Sequence, residues 1–206
     1  MPDPAQMVQG GVQVPLLGRL FGDIDEDQRL SVVHFGLGES SVFHAFAPYR
    51  VRLDTVDVFS QLEHWALAET GAERAALIGA YVDAFKLEPV DWVCCWSLLN
   101  YIDPPTATLI LNALRPYLKP NAVVHALIEY SSPTMPASPP TWALEPVDQQ
   151  LYLHADATQA TADSPRHTPK RLEGMLGGMT AESTVLLSNG LQEYIFRPVD
   201  EPVADD

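Results

Sequence analysis

Asp91-Trp92-Val93-Cys94-Cys95-Trp96-Ser97-Leu98-Leu99-Asn100-Tyr101-Ile102-Asp103-Pro104 decides the fold. Its first half holds one charge and is rich in β-branched and aromatic types, the composition of a strand covered on both faces. A polar break follows from Ser97 to Asp103. Asp103-Pro104 then opens a helix, the aspartate as cap and the proline as first residue. Open α/β sheets bind ligands beyond the carboxyl ends of their strands, so the break at Ser97 marks where chemistry is to be sought.

Within that strand Cys94 and Cys95 are neighbours, and neighbours on a strand point to opposite faces. A bridge between them is disfavoured, and the pair reads as small core residues of a reduced protein. Towards the N-terminus, Ser31-Val32-Val33-His34-Phe35-Gly36 reads as a first strand. Leu37-Gly38-Glu39-Ser40-Ser41 and a short helix through Ala47 follow, and then a second, alternating strand over Arg50–Asp57. Strand, glycine turn, helix and strand begin a βαβ unit. Val14–Phe21 is apolar enough for a covering helix, and residues 60–70 read as helical. Leu77, Ile78, Tyr81, Val82 and Phe85 form a helical stripe across residues 72–86, although Leu77–Val82 also fits a third strand. The stripe persists for two turns, which favours the helix.

Towards the C-terminus, Leu109, Leu111 and Leu114 lie inside the helix opened by Pro104. Lys119-Pro120-Asn121 predicts a turn into a buried strand over Ala122–Ile128. Ser131–Pro140 holds four prolines and predicts irregular structure. Thr168-Pro169 opens a helix that Gly177-Gly178 ends. Asn189-Gly190 between two apolar runs, Val185–Ser188 and Leu191–Arg197, is a strong hairpin signal. The fold class is therefore α/β: a mostly parallel twisted sheet with helices on both faces, ending in an antiparallel hairpin. It occupies residues 31–197, preceded by a tail and covering helix over 1–30 and followed by an acidic tail over 198–206.

The chain has 206 residues, enough for one domain, and 27 Asp plus Glu against 12 Lys plus Arg give a net charge of −15. Such a surface repels phosphate backbones and anionic lipid, which predicts neither a nucleic-acid nor a membrane partner. Neutral or cationic small ligands suit it, and so does acidity for solubility alone. No span approaches the ~20 apolar residues of a membrane helix, and the N-terminus lacks a basic stretch, so the expected location is cytoplasmic. His44, His64, His125, His154 and His167 have no ligand spacing, so no metal is predicted. Gly36-Leu37-Gly38-Glu39-Ser40 is not a nucleophile elbow, and Ser41 stands where a dinucleotide fingerprint wants its last glycine.

Four pieces in this order resemble the class I S-adenosylmethionine-dependent methyltransferases. They are His34-Phe35-Gly36-Leu37-Gly38 as the glycine loop, Val56-Asp57-Val58 at the end of strand two, Asp91–Ile102 as strand four, and Leu114–Pro120 before strand five. The closing hairpin fits as well, because this family's sheet ends on a reversed strand. The likeness spans residues 31–197. It implies S-adenosyl-L-methionine as cofactor, bound by His34, Gly36, Gly38, Asp57, Val58, Trp96 and Ser97. Glycines let backbone approach a ligand closely, and the helix behind them offers free N–H groups. Asp57 lies 19 residues past Gly38, near the spacing at which a carboxylate meets a ribose diol in nucleotide-binding βαβ units.

By the same resemblance Asn100, Tyr101 and Trp142 face a small-molecule methyl acceptor. Methyl transfer from a sulfonium is an in-line displacement that rests on placement, so it implies no visible catalytic triad. The chain departs from the family at two positions. His34 stands where an acidic residue usually holds the cofactor's ammonium group, and Ser40 stands where a third glycine is usual. Two functions are expected on these grounds: methyl transfer to an unidentified small molecule, or a catalytically inactive binding or assembly module on the same fold.

Overall fold

A computed structural model describes residues 11–25, 27–36, 40–147, 150–156 and 160–199. Strand β1 (Val12–Gln13) and helix α1 (Pro15–Gly22) lead into β2 (Leu30–Phe35), and α2 (Ser40–Phe46) connects to β3 (Val51–Val56). Helices α3 (Leu62–Ala66) and α4 (Gly71–Asp83) precede β4 (Val90–Trp96). That strand passes through the single turn α5 (Leu98–Tyr101) into α6 (Pro104–Leu114) and β5 (Leu118–Glu129). Four strands outside the central sheet follow: β6 (Thr134–Pro136), β7 (Thr141–Val147), β8 (Gln150–Asp156) and β9 (Thr161–Asp163). Helix α7 (Pro169–Leu176) and the hairpin β10 (Met179–Leu186) and β11 (Leu191–Pro198) complete the chain as described.

The central sheet has six strands in the order β10-β11-β5-β4-β2-β3. Strands β5, β4, β2 and β3 run parallel, while β11 is antiparallel to both β5 and β10. The strand that decides the fold is buried along its whole length. Its residues alternate between two cores. Val93 and Cys95 pack with α4, α6 and α7, whereas Trp92, Cys94 and Trp96 pack with α1, α2 and the β7–β8 hairpin. The two adjacent cysteines thus lie on opposite faces, both free.

The stretch over 72–86 is helical as far as Asp83 and holds no strand; Ala84 and Phe85 turn the chain out of the helix. Thr70 Oγ1 accepts the Glu73 N–H at 3.1 Å, and Glu73 returns a carboxylate oxygen to the Glu69 N–H at 2.8 Å. The first bond satisfies an N–H that an open helix end would leave bare, and the second ties the residue before the cap to the same turn.

Three local expectations are corrected. Lys119-Pro120-Asn121 is not a turn but lies inside β5, at a slip in the β4–β5 register between the pairs Val90–Leu118 and Trp92–Val123. Proline lacks the ladder's donor and is tolerated at such an interruption. The proline-rich stretch is not wholly irregular, since β6 pairs with β9 in a two-stranded ribbon whose edges accept proline. The break after Ser97 is not a polar loop, because Leu98, Leu99 and Asn100 form a buried helical turn.

The β7–β8 hairpin has no counterpart in the sequence reading. It joins β1 in a three-stranded sheet laid over the face that α1 and α2 also cover. One buried cluster ties this face together. Glu193 of β11, wholly buried, accepts the Leu16 N–H at 3.0 Å and the Leu17 N–H at 2.8 Å, and its carboxyl meets His125 Nε2 at 2.9 Å. An acidic side chain from the sheet thereby caps the first turn of α1.

Candidate cofactor site

The carboxyl ends of β2, β3 and β4 open into one cavity of about 300 Å³, lined by His34, Phe35, Gly36, Asp57, Phe59, Ser60, Trp96, Ser97 and Pro139–Trp142. Parallel strands create this place, since the connection after β2 runs to one face of the sheet and those after β3 and β4 to the other, leaving a crevice beyond the strand ends. Of the residues expected at a cofactor site, His34, Gly36, Asp57, Trp96 and Ser97 come together here, joined by the expected acceptor residue Trp142. Val58 is buried in the core beside the site and does not line it. Gly38 lies outside the described residues.

Gly36 has φ +150°, a conformation that side chains rarely adopt, and a Cβ there would stand 3.1 Å from His34 Cε1. The glycine lets the His34 imidazole sit against its own backbone. His34 is 3% exposed, and burial pushes its pKa down to about 4, leaving the ring uncharged at neutral pH. Its ring meets the Trp96 indole at 4.5 Å between centroids, edge to face. Trp96 has φ +37°, a left-handed backbone uncommon for a bulky residue. Strain of this kind, of order 1–3 kcal/mol, gathers at ligand sites. Three buried nitrogens, His34 Nδ1, His34 Nε2 and Trp96 Nε1, have no hydrogen-bond partner among the described residues. Buried polar atoms are normally paired, and these three are exceptions among the described residues.

Asp57 sits one residue beyond β3. Its Oδ1 accepts the Ser60 N–H at 3.1 Å, and its carbonyl accepts Ser60 Oγ and Tyr81 Oη at 3.0 Å each. Backbone and one oxygen are fixed, which aims the carboxyl group at the cavity.

The opposite wall comes from the segment after β5. Trp142 donates its Nε1–H to Ser97 Oγ at 3.1 Å, and the Leu144 N–H reaches Ser41 Oγ at 3.2 Å. Tyr101 does not line the cavity. Its hydroxyl donates to the carbonyls of Pro136 and Ser138 at 2.9 and 3.2 Å, and burial, aided by nearby Glu129, pushes its pKa up to about 12. It remains a donor that holds the wall. Asn100 does not line the cavity either. Its Nδ2 donates to the Leu127 carbonyl at 2.9 Å and its Oδ1 accepts the Glu129 N–H at 3.0 Å. The amide side chain thus continues the ladder along β5 where β4 has ended.

The sequence reading missed Phe35, Phe59, Ser60, Pro139, Pro140 and Thr141 in the lining. Phe59 and Ser60 lie two and three residues past Asp57, and that proximity is the available signal. The prolines carried none, because nothing local says the segment folds back across the sheet. Among the described residues no three His, Cys, Asp or Glu side chains gather as a metal set would, and no helix is long and apolar enough to cross a membrane.

No protein-family model matches this chain, and no curated protein matches it. Solved structures do. The glycopeptide N-methyltransferase MtfA, complexed with S-adenosyl-L-methionine, superposes with a TM-score of 0.50 at 12% identity over 89% of this chain and 93% of its own. A Burkholderia thailandensis 1,6-didemethyltoxoflavin-N1-methyltransferase gives 0.50 at 16% identity over 90% of this chain and 76% of its own. The pyocyanin biosynthetic protein PhzM gives 0.50 at 12% identity over 88% of this chain, which spans only 54% of that protein. At these identities the likeness concerns architecture, and the reversed strand β11 beside β5 agrees with it. The chain has the fold of the class I S-adenosylmethionine-dependent methyltransferases.

Proposed function

We propose that the cavity at the ends of β2, β3 and β4 binds S-adenosyl-L-methionine and that the protein transfers its methyl group to a small organic acceptor. The observation that carries this reading is the meeting of Gly36, Asp57 and the rings of His34 and Trp96 in one cavity at the carboxyl ends of the parallel strands. The residues present fit a nucleoside. Asp57, held from behind, suits a ribose diol, and the rings of Phe59 and Trp96 suit a planar base. The bare backbone of Gly36 permits a close approach that a Cβ would fill.

The bound sulfonium supplies an activated methyl group. The chain's own work is placement and exclusion of water: Ser97 fixes the Trp142 indole, and Tyr101 fixes the carbonyls on which the Pro139–Trp142 wall hangs. Placement of this kind accounts for several kcal/mol of barrier reduction. Asn100 and Tyr101 act here through the wall, and Trp142 is the residue nearest an acceptor. A small organic acceptor is in keeping with the 1,6-didemethyltoxoflavin named for one neighbour in fold.

A second reading is favoured by one observation. His34 is a buried neutral ring where the fold's enzymes usually carry an acid, which suits a binding or assembly module without catalysis. A calorimetric titration separates the two. Micromolar binding of S-adenosylmethionine, weakened at least about tenfold by Asp57→Ala and also by Asp57→Asn, which keeps the Ser60 contact, supports the enzyme. No heat at millimolar cofactor supports the module. Unchanged affinity in both variants removes Asp57 from the ribose.

A further inference from the structure

Among its described lining residues the cavity has one carboxylate, Asp57, and neither Lys nor Arg. All 12 Lys and Arg residues of the chain lie within the described residues, so the undescribed ones can add none. Arg29 and Arg52 pair with Glu88, and Lys119 with Asp91, at the end of the sheet opposite the cavity. Arg74 and Arg166 donate to the carbonyls of Trp65 and Tyr130. His34, the histidine of the lining, is neutral because burial pushes its pKa down to about 4. The chain as a whole carries −15, a field that repels anions from a concave mouth.

S-adenosylmethionine has one net positive charge, the sum of a sulfonium, an ammonium and a carboxylate. Beside Asp57 it leaves the loaded cavity near neutrality. No surplus positive charge then remains to hold an anion, and burying an unpaired anion is strongly unfavourable. What the acceptor side offers is flat and apolar. Trp142, its indole N–H fixed on Ser97 Oγ, stands there with the rings of Pro139 and Pro140.

Resting on the cofactor reading above, we propose that the methyl acceptor is a flat aromatic molecule without carboxylate, sulfonate or phosphate, packed on the Trp142 wall, and that the site refuses anionic relatives of it. A lone pair on the acceptor's hydroxyl oxygen or ring nitrogen forms the bond to the methyl carbon as the carbon–sulfur bond breaks. The electrons of that bond stay on sulfur, which becomes an uncharged thioether, and the acceptor's proton passes to water.

The test loads the full chain with sinefungin, an analogue that carries an ammonium in place of the sulfonium and has no methyl group to give. Calorimetry at pH 7 then compares 4-hydroxybenzamide with 4-hydroxybenzoate, alike in shape and unlike in charge. The amide is expected to bind at least about tenfold tighter. Thr141→Lys sets an ammonium on the lining and should shift the ratio towards the benzoate by about tenfold or more. Pro140→Lys takes its place should circular dichroism show the first variant unfolded. A benzoate bound within about tenfold of the amide by wild type overturns the inference and leaves the cofactor reading standing. So does a loaded protein that binds neither probe, or a ratio that the added lysine does not move. A chain that does not bind sinefungin overturns both.

Discussion

His34 is an imidazole with nothing to hydrogen-bond inside the described protein, and its protonation is linked to folding. The unfolded ring titrates near 6.5 and the folded one near 4. Above pH 6.5 both states hold it neutral and its titration contributes nothing to stability. As pH falls from 6.5 towards 4 the unfolded chain takes up the proton first, so stability declines, and below 4 the loss levels off at roughly 3 kcal/mol. Urea denaturation of ligand-free protein at pH 7 and pH 4.5 should show a smaller loss in His34→Gln than in wild type. Equal losses would show that the ring is not desolvated. The sequence placed His34 at the end of its strand and beside the glycines. It did not reveal the fold-back over Gly36 or the contact with Trp96, because both arise from tertiary packing between β2 and β4.

Elements were legible where a local signal marked both ends. Asp103-Pro104 opened α6, Thr168-Pro169 opened α7, and Asn189-Gly190 turned the last hairpin, each as the structure has it. Thr70 and Glu73 close the question over α4 through side-chain capping that a hydrophobic stripe alone does not register. The β7–β8 hairpin was illegible because Pro146 sits inside one strand, which argues against a ladder, and because its partner β1 lies far off in sequence.

At this scale the cap on α1 is the most exposed to test. Glu193→Ala leaves two helix N–H groups and His125 Nε2 without their partner inside a core. A loss of about 2–4 kcal/mol is expected from unmet buried groups, read as a fall in the urea midpoint, with Glu193→Gln retaining part of it through its remaining carbonyl oxygen. An alanine variant within about 0.5 kcal/mol of wild type would mean that α1 is not docked through this carboxyl group.

The molecule as a whole is a sheet with two cores, and Cys94 and Cys95 report on one each. Burial pushes the Cys94 thiol up to about 12 and Cys95 further in the same direction, so neither is a thiolate near neutrality. Both should resist a thiol reagent in the native state and react along a urea series in step with the loss of circular dichroism. Reaction of Cys94 well before Cys95 would show that the face bearing α1 and the β7–β8 hairpin opens by itself. The parallel order and the reversed last strand followed from the succession of strand, turn and helix. The second small sheet did not, since pairing between distant segments leaves no periodic trace.

The bond from Glu193 to Leu16 spans 177 positions of the chain. On a ribosome adding about 5–20 residues per second, α1 emerges on the order of ten to thirty seconds before its cap exists. The helix must wait with its apolar side uncovered while β11 is still being made, then lock into place late. Nascent chains arrested before residue 193 should therefore keep this segment open to proteases and to chaperones that grip apolar stretches.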